Sequence, residues 1–322
     1  MRTIFRHLAV AAAILATGSA VRAQVPETSP GGFGGVQIKN SVETSQQWKD
    51  INYADDDKAY HTCDIYLPKE KRDSYPVVVH IYGSAWFSNS SKGMADIGTI
   101  VKALLDAGYA VVCPNHRSSG DAKWPAQIQD IKAVIRFIRG EAPKYKFDPS
   151  FVAVSGFSSG GHLSSITAAT SGTKSATVGR ETIDLEGDLG AHTSESSEVS
   201  AACVWSGPIE FMTAFTPGVA PEEVLIGQSR DEAMDKYRTL STTTFIDSSN
   251  PPFIIFHGEK DNVVPCSQGQ RLYDALNEAG VKATLTLEPE GGHGFNMYSD
   301  TNLSKMVEFL NAVREHAPNE KR

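Results

Sequence analysis

Phe151-Val-Ala-Val-Ser-Gly-Phe-Ser-Ser-Gly-Gly-His162 is the stretch that decides the fold. Phe151 to Ser155 is a short run of apolar and β-branched residues, the pattern of a buried strand. Gly156-Phe157-Ser158-Ser159-Gly160 supplies Gly-x-Ser-x-Gly, and Leu163, Ile166, Ala168 and Ala169 continue as a helix. Strand, sharp turn and helix form the context in which this motif carries chemistry. Side chains at Gly156 and Gly160 would collide with neighbouring backbone, and the apical residue is strained. The turn pushes the Ser158 hydroxyl out at the carboxyl end of the sheet, so Ser158 is the candidate nucleophile. A chain with this much Gly and Ser can match the motif by chance, and the partners of Ser158 must decide.

On either side of the elbow, strands alternate with helices. Strands are expected at Trp48–Tyr53, His61–Leu67, Pro76–Tyr82, Tyr109–Cys113, Val199–Trp205, Phe253–His257 and Ala283–Glu288. Helical spacing of apolar residues runs from Ile97 to Leu105, from Ile128 to Ile138, over Gln268–Ala279 and over Asn302–His316. Most of these strands are apolar on both faces. That implies a mostly parallel central sheet of about eight strands flanked by helices on both faces, with the first two strands as an antiparallel edge. One α/β domain accounts for residues 46–322. Residues 171–198, polar and acidic, read as an insertion over the surface. Residues 208–250, with a helical stretch near Asp231–Arg238, read as a segment walling the site.

The amino terminus reads as a secretory signal: Arg2 and Arg6, an apolar stretch from Leu8 to Ala16, then Val21-Arg22-Ala23 before Gln24. Residues 24–45, rich in Gly, Ser, Pro and Thr, read as a mobile lead-in. Cleavage near Ala23 would remove Arg2, Arg6 and Arg22 and take the formal charge from −8 to −11. An acidic chain without a Lys/Arg cluster is a poor partner for nucleic acid or anionic lipid, and no other stretch suits a membrane span. The expectation is a secreted or periplasmic protein. Cys63, Cys113, Cys203 and Cys266 form no Cys-x-x-Cys pair, so no zinc site and no cofactor are expected. Export would permit disulfides in any of three pairings, although Cys113 and Cys203 lie in strand-like runs that suit buried thiols.

A serine hydroxyl needs a base, and the base needs an orienting group. Of nine histidines, His80, His116 and His257 lie in or beside strands and suit structural roles. His162 faces away from the apex, His192 lies in the polar insertion, and His7 and His316 lie near the ends of the chain. His293 stands apart in Glu290-Gly-Gly-His-Gly-Phe295, the loop after the last strand, on the edge where Ser158 emerges. Asp261, in His257-Gly-Glu-Lys-Asp-Asn-Val-Val-Pro265, follows another central strand; Glu259, Asp247 and Glu288 are the alternatives. Nucleophile, acid and base then occur in the chain order that this topology imposes. For the negative charge of a tetrahedral intermediate, the donors expected are the backbone N–H of Ser159 and one from Gly83-Ser84-Ala85-Trp86, at Ser84 or Ala85. Trp86 and Tyr298 are candidate substrate-binding side chains, with a core position the rival reading for Trp86.

With these residues in place, the chain resembles the α/β-hydrolase superfamily, and within it the hormone-sensitive-lipase-like esterases and the BD-FAE (feruloyl esterase-like) group. The likeness runs from about Val77 to the carboxyl terminus. It rests on Gly156–His162, on Trp124-Pro-Ala-Gln-x-x-Asp130, on Pro251–Pro265 and on Gly292-His293-Gly294-Phe295. It places nucleophile, acid and base on Ser158, Asp261 and His293. It implies a carboxylesterase acting on small-molecule or polysaccharide esters, acetyl and feruloyl groups on plant polysaccharide among them. Two segments depart from the pattern. The group's His-Gly-Gly-Gly-Trp loop reads Tyr82-Gly83-Ser84-Ala85-Trp86, and its Asn/Asp-Tyr-Arg reads Asn115-His116-Arg117. A prolyl-type peptidase shares the elbow but carries a large extra domain that has no room here. A catalytically silent member kept for binding would usually lack one of the three residues.

Overall fold

The computed structural model describes residues 42–212, 220–294 and 296–316. The expected signal and most of the lead-in lie outside them. Among the described residues ten strands occur: β1 Gln46–Asn52, β2 Thr62–Leu67, β3 Tyr75–Ile81, β4 Ala110–Pro114, β5 Phe147–Phe157, β6 Ser175–Val178, β7 Glu181–Asp184, β8 Ala202–Trp205, β9 Phe253–Gly258 and β10 Ala283–Glu288. Eight form one sheet in the order β1-β2-β4-β3-β5-β8-β9-β10. Within this sheet the β1–β2 and β2–β4 pairs are antiparallel and every other pair is parallel. This is the α/β-hydrolase architecture expected from the sequence, antiparallel edge included.

Alternation along the strands divides the core into two layers. Val77 and Val79 of β3 face one side with α2 (Ala126–Gly140), α3 (Ala142–Tyr145), α4 (Ser159–Ala169) and α7 (Ser267–Glu278). Val78 faces the other with the turn at Ile97–Val101, α1 (Lys102–Asp106) and α8 (Asp300–His316). Because both faces are covered, β3 is buried at every position, which is why it reads as a continuous apolar run.

The 171–198 insertion is more ordered than its composition suggests. It contains the hairpin of β6 and β7, too short and polar to give a strand pattern. It also covers the polar flank of α2. Lys132 and Arg136 would face water on a bare helix, yet Lys132 is fully buried and Arg136 is 1% exposed. Glu186 of the insertion pairs with both, and Lys132 also donates to the Thr170 and Thr173 carbonyls. Burying two cations requires such partners.

The described part of residues 208–250 holds α5 (Pro221–Ile226) and α6 (Met234–Leu240), and only the second overlaps the stretch expected to be helical. It is pinned to the body: the Gln268 side-chain oxygen accepts the Ile209 and Glu210 amides at 2.8 Å, and Trp124 Nε1 donates to Thr239 Oγ1 at 3.1 Å. All four cysteines are free; Cys63, Cys113 and Cys203 are buried and Cys266 is half-buried.

Candidate active site

The elbow has the geometry its glycines require. A side-chain carbon at Gly156 would stand 2.2 Å from the Gly160 carbonyl oxygen, and one at Gly160 would stand 2.1 Å from the Ile81 carbonyl oxygen. Strand β5, the start of α4 and the end of β3 therefore meet at backbone distance. Ser158 between them has φ 55° and ψ −121°, a conformation a non-glycine residue adopts only when its surroundings enforce it.

Ser158, His293 and Asp261 converge, although 135 residues separate the first two. His293 Nε2 lies 2.9 Å from Ser158 Oγ, and His293 Nδ1 lies 2.8 Å from Asp261 Oδ2. With the Nδ1 proton donated to the carboxylate, Nε2 is free to accept the serine proton. The Val263 and Val264 amides donate to Asp261 Oδ1 at 2.9 and 2.8 Å. Burial alone would raise the Asp261 pKa. The contacts from His257 and His293 and the Val264 amide outweigh it and hold the carboxyl well below the usual range. A fixed anion at this point selects one imidazole tautomer and stabilises the imidazolium that forms on proton transfer. Of the alternatives, Glu288 accepts from Asn302 and Asp247 caps Ser249.

The other described histidines serve the scaffold. His162 is fully buried, donates from Nε2 to the Leu240 carbonyl at 2.8 Å, and is pushed down by burial to a pKa of about 4. His257 donates from Nε2 to the Val264 carbonyl at 2.8 Å and stands 3.5 Å from Asp261 Oδ2, so it backs the acid loop. His80 makes a second Ser–His–Asp sequence, with Ser155 Oγ at 3.0 Å and Asp96 Oδ2 at 3.3 Å. Ser155 and His80 are wholly buried, so no substrate reaches that serine.

One sequence expectation needs correction. Trp86 does not wall the opening: it is 2% exposed and packs edge-on against His162 and obliquely on Phe211. Left-handed backbone at Ala85 (φ 50°) and Trp86 (φ 60°) accompanies this inward placement. Tyr298, the other candidate, is half-buried beside Phe157. Its ring lies 6.2 Å from Phe157 and 5.4 Å from Trp205, and burial, with the Asp96 carboxylate beside it, pushes its phenol well up.

The oxyanion donors also sort themselves. The Ser159 and Ala85 amides have no acceptor among the described residues, whereas the Ser84 N–H donates to Ser159 Oγ at 2.8 Å. Ser84 Oγ accepts the Ser88 amide at 3.4 Å and so braces its own loop.

Sequence reasoning missed Phe157. Side-chain carbons at Gly83 and Gly294 would each fall 2.9 Å from its ring, so the missing side chains create its slot. There its centroid is 4.8 Å from that of His293. Glycines flanking the histidine and preceding the oxyanion loop were the available signal. The two departures from the family pattern also meet: Tyr82 and His116 stack with centroids 5.0 Å apart and 12° between planes. Next to them, Arg117 grips the buried Asp130 through its backbone amide at 2.7 Å and its guanidinium at 2.6 Å.

The BD-FAE family profile matches residues 63–276, a span that includes the elbow and the acid loop. The chain belongs to the BD-FAE family. A dienelactone hydrolase profile also matches residues 237–317. This BD-FAE chain is 43% identical to a solved structure titled a truncated form of carbohydrate esterase from gut microbiota, covering 84% of this chain and 97% of that one with a TM-score of 0.82. It is 46% identical to a bifunctional GH43-CE protein of Bacteroides eggerthii, with a TM-score of 0.80, over 83% of this chain and 35% of that one. Among curated proteins, a probable carboxylic ester hydrolase, LipM, of Mycobacterium tuberculosis is 29% identical over 77% of this chain and 56% of its own length. The chain spans about half the length of the curated relatives it matches.

Proposed function

We propose that this BD-FAE chain is an exported serine carboxylesterase that removes short acyl groups, acetyl foremost, from a carbohydrate or another small alcohol. The observation that carries the reading is the unbroken chain of contacts from Ser158 Oγ through His293 to Asp261, at 2.9 and 2.8 Å. The named carbohydrate esterase at 43% identity supports the substrate class. The Arg2–Ala23 segment supports export.

The chemistry follows from the geometry. His293 takes the Ser158 proton as Oγ attacks the ester carbonyl, and the carbonyl π electrons move onto oxygen. Backbone N–H groups at Ser159 and in the 83–86 loop receive that charge. The intermediate collapses with the alcohol leaving on the proton held by His293, and the acyl group stays on Ser158. Water, deprotonated by His293, then repeats the attack and releases the acid.

A panel of nitrophenyl acetate, butyrate and longer esters, acetylated xylan, methyl ferulate and a prolyl amide tests this. Turnover of short esters with acetate release from xylan is expected. No turnover on any substrate would leave the silent binding reading, and preference for the amide would favour a peptidase.

A further inference from the structure

The Asp261 carboxylate meets two imidazoles. His293 Nδ1 lies 2.8 Å from Oδ2, and His257 Nε2 lies 3.5 Å from the same oxygen. His257 is wholly buried near the end of β9, out of reach of any substrate. Its Nε2 donates to the Val264 carbonyl at 2.8 Å, which places the ring proton on that nitrogen and turns Nδ1 the other way. On that other side stands the first turn of α7. Outside the helix backbone, the three atoms nearest a side-chain carbon at Gly269 would all belong to His257, with Nδ1 at 2.9 Å. Val264 is shared between ring and acid, since its amide donates to Asp261 Oδ1 at 2.8 Å. The start of the acid loop is tied to the base loop: the Glu259 and Lys260 amides donate to the Glu288 and Gly291 carbonyls at 2.9 Å. The His257 ring closes the other end.

We propose that His257 is a positioning residue for the acid: held between α7 and the acid loop, it fixes the orientation of the Asp261 carboxylate so that Oδ2 stays within reach of His293 Nδ1. The inference rests on the esterase reading. His257 moves no proton and meets no substrate. The Val263 and Val264 amides hold Oδ1 alone, which leaves the carboxylate free to swing Oδ2 away from His293. The His257 N–H beside Oδ2 makes the working orientation the one in which both oxygens face donors. A carboxylate turned out of line leaves His293 free to take the wrong tautomer and leaves the imidazolium without its counter-charge. The consequence falls on kcat, because ground-state substrate binding does not use this contact.

His257→Phe keeps a ring and removes the N–H, and His257→Gln restores a side-chain N–H donor. For each, kcat and KM on nitrophenyl acetate, Tm, and the downfield proton resonance of the His293–Asp261 bond are measured, with Asp261→Asn as the reference. A misplaced catalytic group costs about 10² in rate, against about 10⁴ for replacing the acid by its amide. For His257→Phe a kcat loss of about 10–10² is expected, with KM little changed and the downfield resonance displaced or lost. His257→Gln should recover most of that kcat, and His257→Phe added to Asp261→Asn should cost little more. Gly269→Ala, which presses on the ring while favouring the helix, should lower kcat severalfold and shift the resonance, and it decides the matter where His257→Phe does not fold. Wild-type kcat in a folded His257→Phe would overturn the assignment, as would losses that multiply in the double variant. So would wild-type kcat with an unshifted resonance in Gly269→Ala. Failure of the esterase reading looks different: the wild-type protein would turn over no ester, while the resonance, which needs no substrate, would still be displaced in His257→Phe.

Discussion

Phe157 lies against His293, with ring centroids 4.8 Å apart and 45° between planes, in a slot bounded by Gly83 and Gly294. The residue before the nucleophile thus supports the base. Gly294 has φ +77°, and a side-chain carbon there would fall 2.9 Å from Phe157 Cζ. Gly294→Ala is expected to push the ring off its slot and His293 off Ser158, lowering kcat at least tenfold. A left-handed alanine costs about 1 kcal/mol besides, visible as a lower Tm. Wild-type kcat in this variant would show that the ring does not position the base.

Tyr82 and His116 are expected to behave as one unit. Each departs from the family pattern, and they stack on one another. In a double-mutant cycle, Tyr82→His and His116→Tyr should each destabilise the fold, while the double exchange recovers a coupling of about 0.5–1.5 kcal/mol. Additive losses in urea unfolding would mean that the stack carries no specific energy.

Glu186 joins the insertion to α2. Glu186→Ala leaves Lys132 and Arg136 buried without their carboxylate. Removing one partner of a buried ion pair costs about 3–5 kcal/mol, so the urea midpoint should fall sharply. The site is built from other elements, and kcat at 25 °C should stay near wild type. A midpoint close to wild type would mean that water reaches the two cations.

His61 supplies a pH-dependent contribution to stability. Burial lowers its pKa, but the Asp130 and Asp56 carboxylates outweigh this and raise it above 6.5. A raised folded-state pKa stabilises fully below 6.5 and fades as pH climbs through the folded value. The Tm difference between wild type and His61→Gln should therefore shrink from pH 6 towards pH 9. For Asp56 the hydrogen bonds from Lys58, His61 and Asn52 outweigh burial and lower the pKa, so its contribution holds above 3.8 and is lost in acid. A Tm difference for His61→Gln that widens towards pH 9 would reverse the sign.

The sheet, the elbow and the three converging residues were legible because each rests on a local signal. Val77–Ile81 is apolar enough to be buried on both faces, Gly156 and Gly160 are required by a close approach, and chain order places Asp261 and His293 on the edge with Ser158. What escaped reading depends on contacts distant in sequence. The burial of Lys132 and Arg136 requires an insertion about 50 residues on. The inward placement of Trp86 depends on Phe211 and His162, and the Ser84–Ser159 bond joins positions 75 residues apart. Tyr82 and His116 read as two separate departures until the fold stacks them.

The central claim is that Ser158 is the nucleophile. The most direct measurement is peptide mapping by mass spectrometry after reaction with a fluorophosphonate probe, with residual ester turnover followed in parallel. A single adduct on the peptide carrying Ser158, formed in step with loss of turnover and absent in Ser158→Ala, is the expected result. Labelling elsewhere with Ser158 unmodified, or turnover retained by Ser158→Ala, would contradict the account.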